Sequence, residues 1–160
     1  MRIGNIELEN NVFLAPMAGV TDLAFRIICK EMGAGLVFSE MVSSKGLYFN
    51  DSSTKDLLQV DSKERPAAIQ LFGSEPQIMA NVIENYLNNR DDVDIIDLNM
   101  GCPAPKIVKN GDGSALMRNP KLVREVLKAM VKASSKPVTV KIRMGWDHES
   151  INGIEIANIS

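Results

Sequence analysis

Two cysteines, one histidine and one tryptophan in 160 residues leave little room for whole classes of chemistry. Cys29 and Cys102 share no metal-ligand spacing and are too few for a disulfide scaffold, which excludes a cysteine-based zinc site and a stapled secreted fold. The lone His148 removes most metal and triad schemes. No apolar run approaches the ~18 residues that a membrane span needs, and Met1-Arg2-Ile3-Gly4-Asn5 opens without the apolar core of a signal peptide. Free thiols suit a reducing compartment, so the expectation is a cytoplasmic protein with no membrane partner. A marked excess of either charge sign is missing too. A formal net charge of −2 offers no general pull on nucleic acid, and any RNA contact has to come from a local patch.

What is present is the make-up of a folded domain, with 45% hydrophobic and 24% charged residues. Strand-like and helix-like patterns alternate without repeats or a linker, which predicts βα units around a parallel sheet, either a barrel or a doubly wound fold. Strands are expected at 11–15, ended by Pro16, at 36–39, 67–71, 93–98 and 137–143. A first helix starts near Thr21 and Asp22 and ends at Gly33; Cys29 lies within its apolar pattern and reads as a packing residue. Ser74 with Gln77 forms a capping-box pattern ahead of Ile78, Met79, Val82, Ile83, Tyr86 and Leu87 on one face. Asn119 as N-cap and Pro120 at the first helical position precede a stripe of Leu122, Val123, Val126, Leu127, Met130 and Val131. An apolar pattern resumes at 154–159, and the polar stretch 43–64 carries no clear period.

Cys102 stands apart from this packing. The apolar run ending at Leu98 leads into Asn99-Met100-Gly101-Cys102-Pro103, where Gly101 and Pro103 stop any regular element. Residues just past the carboxyl ends of parallel strands face the active site in such folds. Alternation along the strands adds a second signal. If Val138, Val140 and Ile142 face the helices, then Thr139, Lys141 and Arg143 point inward, as do Gln70, Asp97 and Asn99. Barrel interiors are normally filled with branched apolar side chains, so polar strand ends read as a site.

Six ordered motifs carry a family resemblance: Leu14-Ala15-Pro16-Met17-Ala18-Gly19-Val20-Thr21-Asp22, Ser39-Glu40-Met41-Val42-Ser43, Gln70-Leu71-Phe72-Gly73, Asn99-Met100-Gly101-Cys102-Pro103, Gly113-Ser114-Ala115-Leu116-Met117 and Val140-Lys141-Ile142-Arg143-Met144-Gly145-Trp146. Together they resemble the tRNA-dihydrouridine synthases, in particular the bacterial type B branch. The resemblance implies a parallel (β/α) TIM barrel that binds FMN, takes electrons from NADPH and reduces selected uridines in tRNA to 5,6-dihydrouridine. It implies hydride transfer from the flavin to uracil C6 and proton transfer to C5 from Cys102, with a flipped-out base in the pocket. By the same resemblance Pro16, Met17 and Ala18 line the flavin, Gln70 bonds its pyrimidine end, Lys141 sits near N1 and C2, and Asn99 holds the uracil. The competing reading of Lys141 is an ion pair with Asp97 or Glu40. Lys106 and Lys109 are tRNA-phosphate candidates or simply solvated. Asp112 occupies a position where the family more often has a small residue.

A TIM barrel takes roughly 250 residues, so these 160 read as the N-terminal portion of one FMN-binding catalytic domain, about five of eight βα units. On this reading the C-terminal barrel half, with the frequent phosphate site, and a helical tRNA-binding domain are absent. The alternatives are an FMN-dependent oxidoreductase of the dihydroorotate dehydrogenase type, whose loop motifs match less well, and an inactive truncated barrel that self-associates through its open edge. A non-catalytic RNA-binding module is disfavoured by the low net charge.

Overall fold

A short hairpin precedes the repeat in the computed structural model, which describes residues 1–160. In it β1 (Arg2–Ile3) pairs antiparallel with β2 (Ile6–Glu7) around Gly4, whose φ of +56° suits a residue without a Cβ. Strands and helices then alternate: β3 (Phe13–Leu14), α1 (Leu23–Glu31), β4 (Leu36–Ser43), α2 (Ser44–Tyr48), α3 (Ser52–Asp56), β5 (Ala67–Phe72), α4 (Pro76–Val82), β6 (Ile95–Asn99), α5 (Pro105–Val108), α6 (Pro120–Ala133), β7 (Val138–Lys141) and α7 (Gly153–Ile159). The five strands from β3 to β7 stand side by side in sequence order, all parallel. That order, with a helix between successive strands, is five units of a TIM-type barrel, left open between β3 and β7. No helix is long and apolar enough to cross a membrane.

The two faces of this sheet are packed differently. Outward-facing Val42, Ile69, Leu71, Ile96 and Leu98 bury against Met79, Val82 and Ile83 of the α4 region and Val123, Val126 and Met130 of α6 in one large core. Burying a side chain of this size contributes ~1.5–3 kcal/mol, so this layer dominates the stability. Inside the curl a smaller cluster, Leu36, Ala68 and Ile95, is closed from below by Leu8 and by Ile3 and Ile6 of the hairpin. The apolar filling stops there, and the next inward layer is polar.

Several local expectations need correction. β3 is confined to Phe13–Leu14, whereas β4 runs on to Ser43 through an irregularity between Phe38 and Met41. β7 is shorter than 137–143, and β6 starts at Ile95 and includes Asn99. The Ser74–Gln77 capping box does not form. Glu75 is the N-cap without a side-chain bond, and Pro76 opens the helix. Val131 is exposed, because the sheet-facing stripe of α6 is no wider than Val123, Val126, Leu127 and Met130. By contrast Asp22 and Asn119 cap α1 and α6 through the backbone N–H groups of Phe25 and Leu122. The polar stretch 43–64 resolves into α2, α3 and a 3-10 turn, capped in that order by the side chains of Ser43, Asp51 and Asp61.

A buried ion pair ties α1 to the turn before β5. Arg26 Nε and Glu64 Oε2 are 2.6 Å apart, and the guanidinium also donates to the carbonyls of Thr21 and Gln59. Glu64 in turn accepts from the backbone N–H of Asp61. Thr21 bonds both the N–H and the carbonyl of Met17, so the pair braces the loop that follows β3. With both partners almost fully buried, removing one leaves a charge uncompensated in the interior. Glu64→Ala is expected to cost about 3–5 kcal/mol in urea unfolding, and a loss below ~1 kcal/mol would show that the pair is dispensable.

Candidate active site

The polar layer inside the curl follows from strand register. Met41 pairs with Gln70, Gln70 with Asp97 and Asp97 with Thr139, so these side chains share one inward row across β4 to β7. One step further along, Asn99 pairs with Lys141. Asp97 is the centre of the row. Thr139 Oγ1 donates to its Oδ1 at 2.6 Å and Gln70 Nε2 to its Oδ2 at 2.6 Å. Burial pushes the Asp97 carboxyl above the usual carboxylate range, opposed by these two donors and by the nearby Lys141 charge. Gln70 Oε1 accepts from Asn99 Nδ2 at 2.8 Å, and Ser39 Oγ accepts from the Gln70 backbone N–H.

Cys102 is held at both ends of its backbone. Asn99 Oδ1 accepts from the N–H of Cys102 at 2.9 Å and of Gly101 at 3.1 Å, while the Cys102 carbonyl accepts from Ser114 N–H at 2.9 Å. Gly113 makes the second contact possible. Its φ is +59°, and a Cβ there would fall 2.7 Å from the Cys102 carbonyl oxygen. The preceding residue, Asp112, is buried rather than displayed toward solvent, and its Oδ1 has no hydrogen-bond partner. Burial raises its pKa, against the pull of the Ser74 hydroxyl and the Lys45 charge.

A cavity of about 330 Å³ opens at the carboxyl ends of the strands, between Pro16 and Ala18 on one side and Asn99, Cys102 and Lys141 on the other. Met41 and Arg143 also line it. Lys141 is exposed and forms no ion pair, with either Asp97 or Glu40; Glu40 accepts instead from the backbone N–H of Gly19. Of the seven residues singled out by sequence, five meet at this cavity: Pro16, Ala18, Asn99, Cys102 and Lys141. Met17 lies outside its wall, 42% exposed, with its N–H given to Thr21. Gln70 lies beneath the wall, fully buried, its amide spanning Asp97 and Asn99. No cluster of side chains suited to a metal ion is present.

The family model described as dihydrouridine synthase matches residues 13–160. The chain belongs to the dihydrouridine synthase family. Curated relatives agree along its whole length. It is 42% identical over 160 residues to the tRNA-dihydrouridine synthase B of Vibrio parahaemolyticus, covering 100% of this chain and 49% of that protein. To the proteins of the same name in Pseudomonas aeruginosa and Shewanella oneidensis the identities are 43% and 44%, again over the whole chain and over 48% and 49% of theirs. The chain thus spans about half the length of the curated relatives it matches.

Sequence reasoning missed Met41 as a wall of the site in this dihydrouridine synthase chain, because it ended β4 at Ser39; the irregularity after Phe38 is what returns Met41 to the inner face. It also missed Arg26 and Glu64, whose contact spans 38 residues and leaves no local trace. The Gly-Asp-Gly-Ser run was the available signal for the support behind Cys102. Gly113→Ala is expected to destabilise the chain by about 1–3 kcal/mol and to change the alkylation rate of Cys102; unchanged values on both counts would remove Gly113 from this role. Asp97 and Asp112 keep a proton in the folded state at a pH where the unfolded chain has lost it. Stability therefore falls as pH rises from the ordinary carboxylate range through their raised values. Asp112→Asn is expected to flatten part of that fall in urea titrations run upward from the ordinary carboxylate range.

Proposed function

We propose that these residues form the N-terminal portion of a single FMN-binding barrel domain that reduces uridines in tRNA to 5,6-dihydrouridine, with NADPH as reductant. The observation that carries the reading is the meeting of Cys102, Asn99 and Lys141 at one cavity at the carboxyl ends of β6 and β7. The curated relatives are themselves named tRNA-dihydrouridine synthase B. The cavity suits a flat, electron-accepting ring. Pro16 and Ala18 provide an apolar wall, and Lys141 brings a cation with no carboxylate partner to the rim. Bound and reduced, FMN supplies the hydride that uracil C6 receives.

The rest is work for the side chains. Cys102 holds a proton on its thiol and delivers it to uracil C5, which needs the neutral form and a fixed position rather than a thiolate. The bonds to its N–H and carbonyl provide that position. Asn99 is the residue nearest in sequence that can orient the base. Lys141 offsets the negative charge that gathers on the pyrimidine side of the reduced cofactor. Pro16 and Ala18 would hold one face of that ring, with Met17 in the same loop, which is braced through Thr21 and Arg26. Gln70, beneath the wall, would act on the cofactor's pyrimidine end through the network it shares with Asn99. The working compartment is the one that holds tRNA, the cytoplasm.

β3 and β7 each have a neighbour on one side only, so these residues by themselves are expected to self-associate. The decisive experiment uses the full-length polypeptide that carries this sequence, with FMN, NADPH and tRNA lacking dihydrouridine. Dihydrouridine is expected to form, and Cys102→Ala is expected to lower the rate by about 10²–10⁴-fold. Wild-type rates in that variant, or no product from the unaltered protein, would overturn the reading. Lys141→Ala is expected to weaken FMN binding by about tenfold, as for the loss of a charged contact, in a flavin fluorescence titration.

A further inference from the structure

The hydrogen bonds from Asp97 to Cys102 have a direction, and the two ends decide it. At one end stand the backbone N–H groups of Gly101 and Cys102, which can only donate. They require Asn99 to present Oδ1, which turns its Nδ2 toward Gln70. Gln70 then has to offer Oε1 to Asn99 and Nε2 onward to the next group. That group must accept. The residue there is Asp97, an acceptor on both oxygens when ionised, which takes Gln70 Nε2 on one and Thr139 Oγ1 on the other. A donor at this position would force Gln70 to turn over, and Asn99 with it, setting Nδ2 against the N–H of Cys102.

We infer that Asp97 is a positioning residue for Cys102: it ends the hydrogen-bond chain as an acceptor, and so holds the Gln70 and Asn99 amides in the orientation that anchors the thiol-bearing loop. Asp97 touches neither Cys102 nor the cavity wall, so its effect is relayed through two amides. Gln70, Asp97 and Asn99 are buried on two adjacent strands, where an unmade hydrogen bond is not replaced by water. The geometry is that of an acceptor, with a donor on each Asp97 oxygen, and these two bonds oppose the upward push of burial on its pKa. The bearing of this device on catalysis rests on the reading of Cys102 proposed above; the direction of the relay does not.

The test moves the carboxylate from one end of the relay to the other. Asn99→Asp still accepts from Gly101 and Cys102, but it makes Gln70 turn its Nε2 inward and its Oε1 against Asp97. Adding Asp97→Asn resolves the conflict, because an amide in place of that carboxylate donates to Gln70 and still accepts from Thr139. Written as variants, the set is N99D, D97N and N99D/D97N in the full chain. The readout is the iodoacetamide alkylation rate of Cys102 divided by that of Cys29, with urea stability measured alongside. Cys29 is half-buried on α1, away from the relay, so general loosening moves both thiols and cancels in the ratio.

N99D is expected to shift the ratio by about tenfold, the size of one buried hydrogen bond lost, and the double variant to return to within about twofold of the unaltered chain. D97N alone is expected to change little, since the Thr139 hydroxyl can turn from donor to acceptor. If N99D does not fold, folding of the double variant with a near-normal ratio carries the same support. Additive effects, a double variant no better than N99D, or a double variant that fails to fold would overturn the inference. Full activity in Cys102→Ala would instead overturn the functional reading and leave the relay result standing, so the two failures are distinguishable.

Discussion

The register of β5 against β6 and of β6 against β7 is the constraint on which the site depends, because in a parallel pair the partners in register project to the same face. Gln70, Asp97 and Thr139 become neighbours only in that register. A slip of one residue in any of these strands would carry its member of the row into the apolar layer under α4 and α6 and bring Leu71, Leu98 or Val140 inside. The large outer core makes such a slip prohibitive, since Ile69, Leu71, Ile96 and Leu98 would lose their burial together. The stability of the fold and the alignment of the polar row are therefore the same fact seen from two faces of one sheet.

Polar groups at this depth are tolerated because their demands are met inside the row. Asp97 has a donor on each oxygen, Gln70 and Asn99 are bonded through both ends of their amides, and the layer below is closed by Ala68, Ile95 and Leu8, the residue just after the hairpin. These hydrogen bonds serve orientation more than stability, and the loop of Cys102 inherits the order. On the opposite wall the loop at Pro16 is ordered by a different means, a buried charge pair acting through Thr21. Two independent networks, one centred on a carboxylate and one on a guanidinium, thus fix the two sides of one cavity.

Much of this was legible in the order of the residues. The strand–helix alternation, the caps at Asp22 and Asn119, the inward set Gln70, Asp97, Asn99 and Thr139, and the loop position of Cys102 all follow from short-range periodicity and the special residues Gly and Pro. Where the reading failed, a non-local contact had overruled a local signal. Ser74 has the pattern of a helix cap, yet the helix opens one residue later, at Pro76 behind Glu75. Asp112, a charge where the family more often has a small residue, is buried. The extension of β4 through its irregularity depends on pairing with β5, which no stretch of β4 encodes alone.

By itself, then, the sequence determined which residues could share a face, because side-chain alternation is a property of the extended backbone. It also determined the family, through six motifs in a fixed order and at compatible spacing. Only the tertiary structure decided which of those residues touch: that Asp97 stands between Gln70 and Thr139, that Arg26 meets Glu64 across 38 residues, and that Gly113 backs onto Cys102. The physical reason is that a hydrogen bond needs its partners within about 3 Å, and in a barrel such distances are set by how whole strands register against one another.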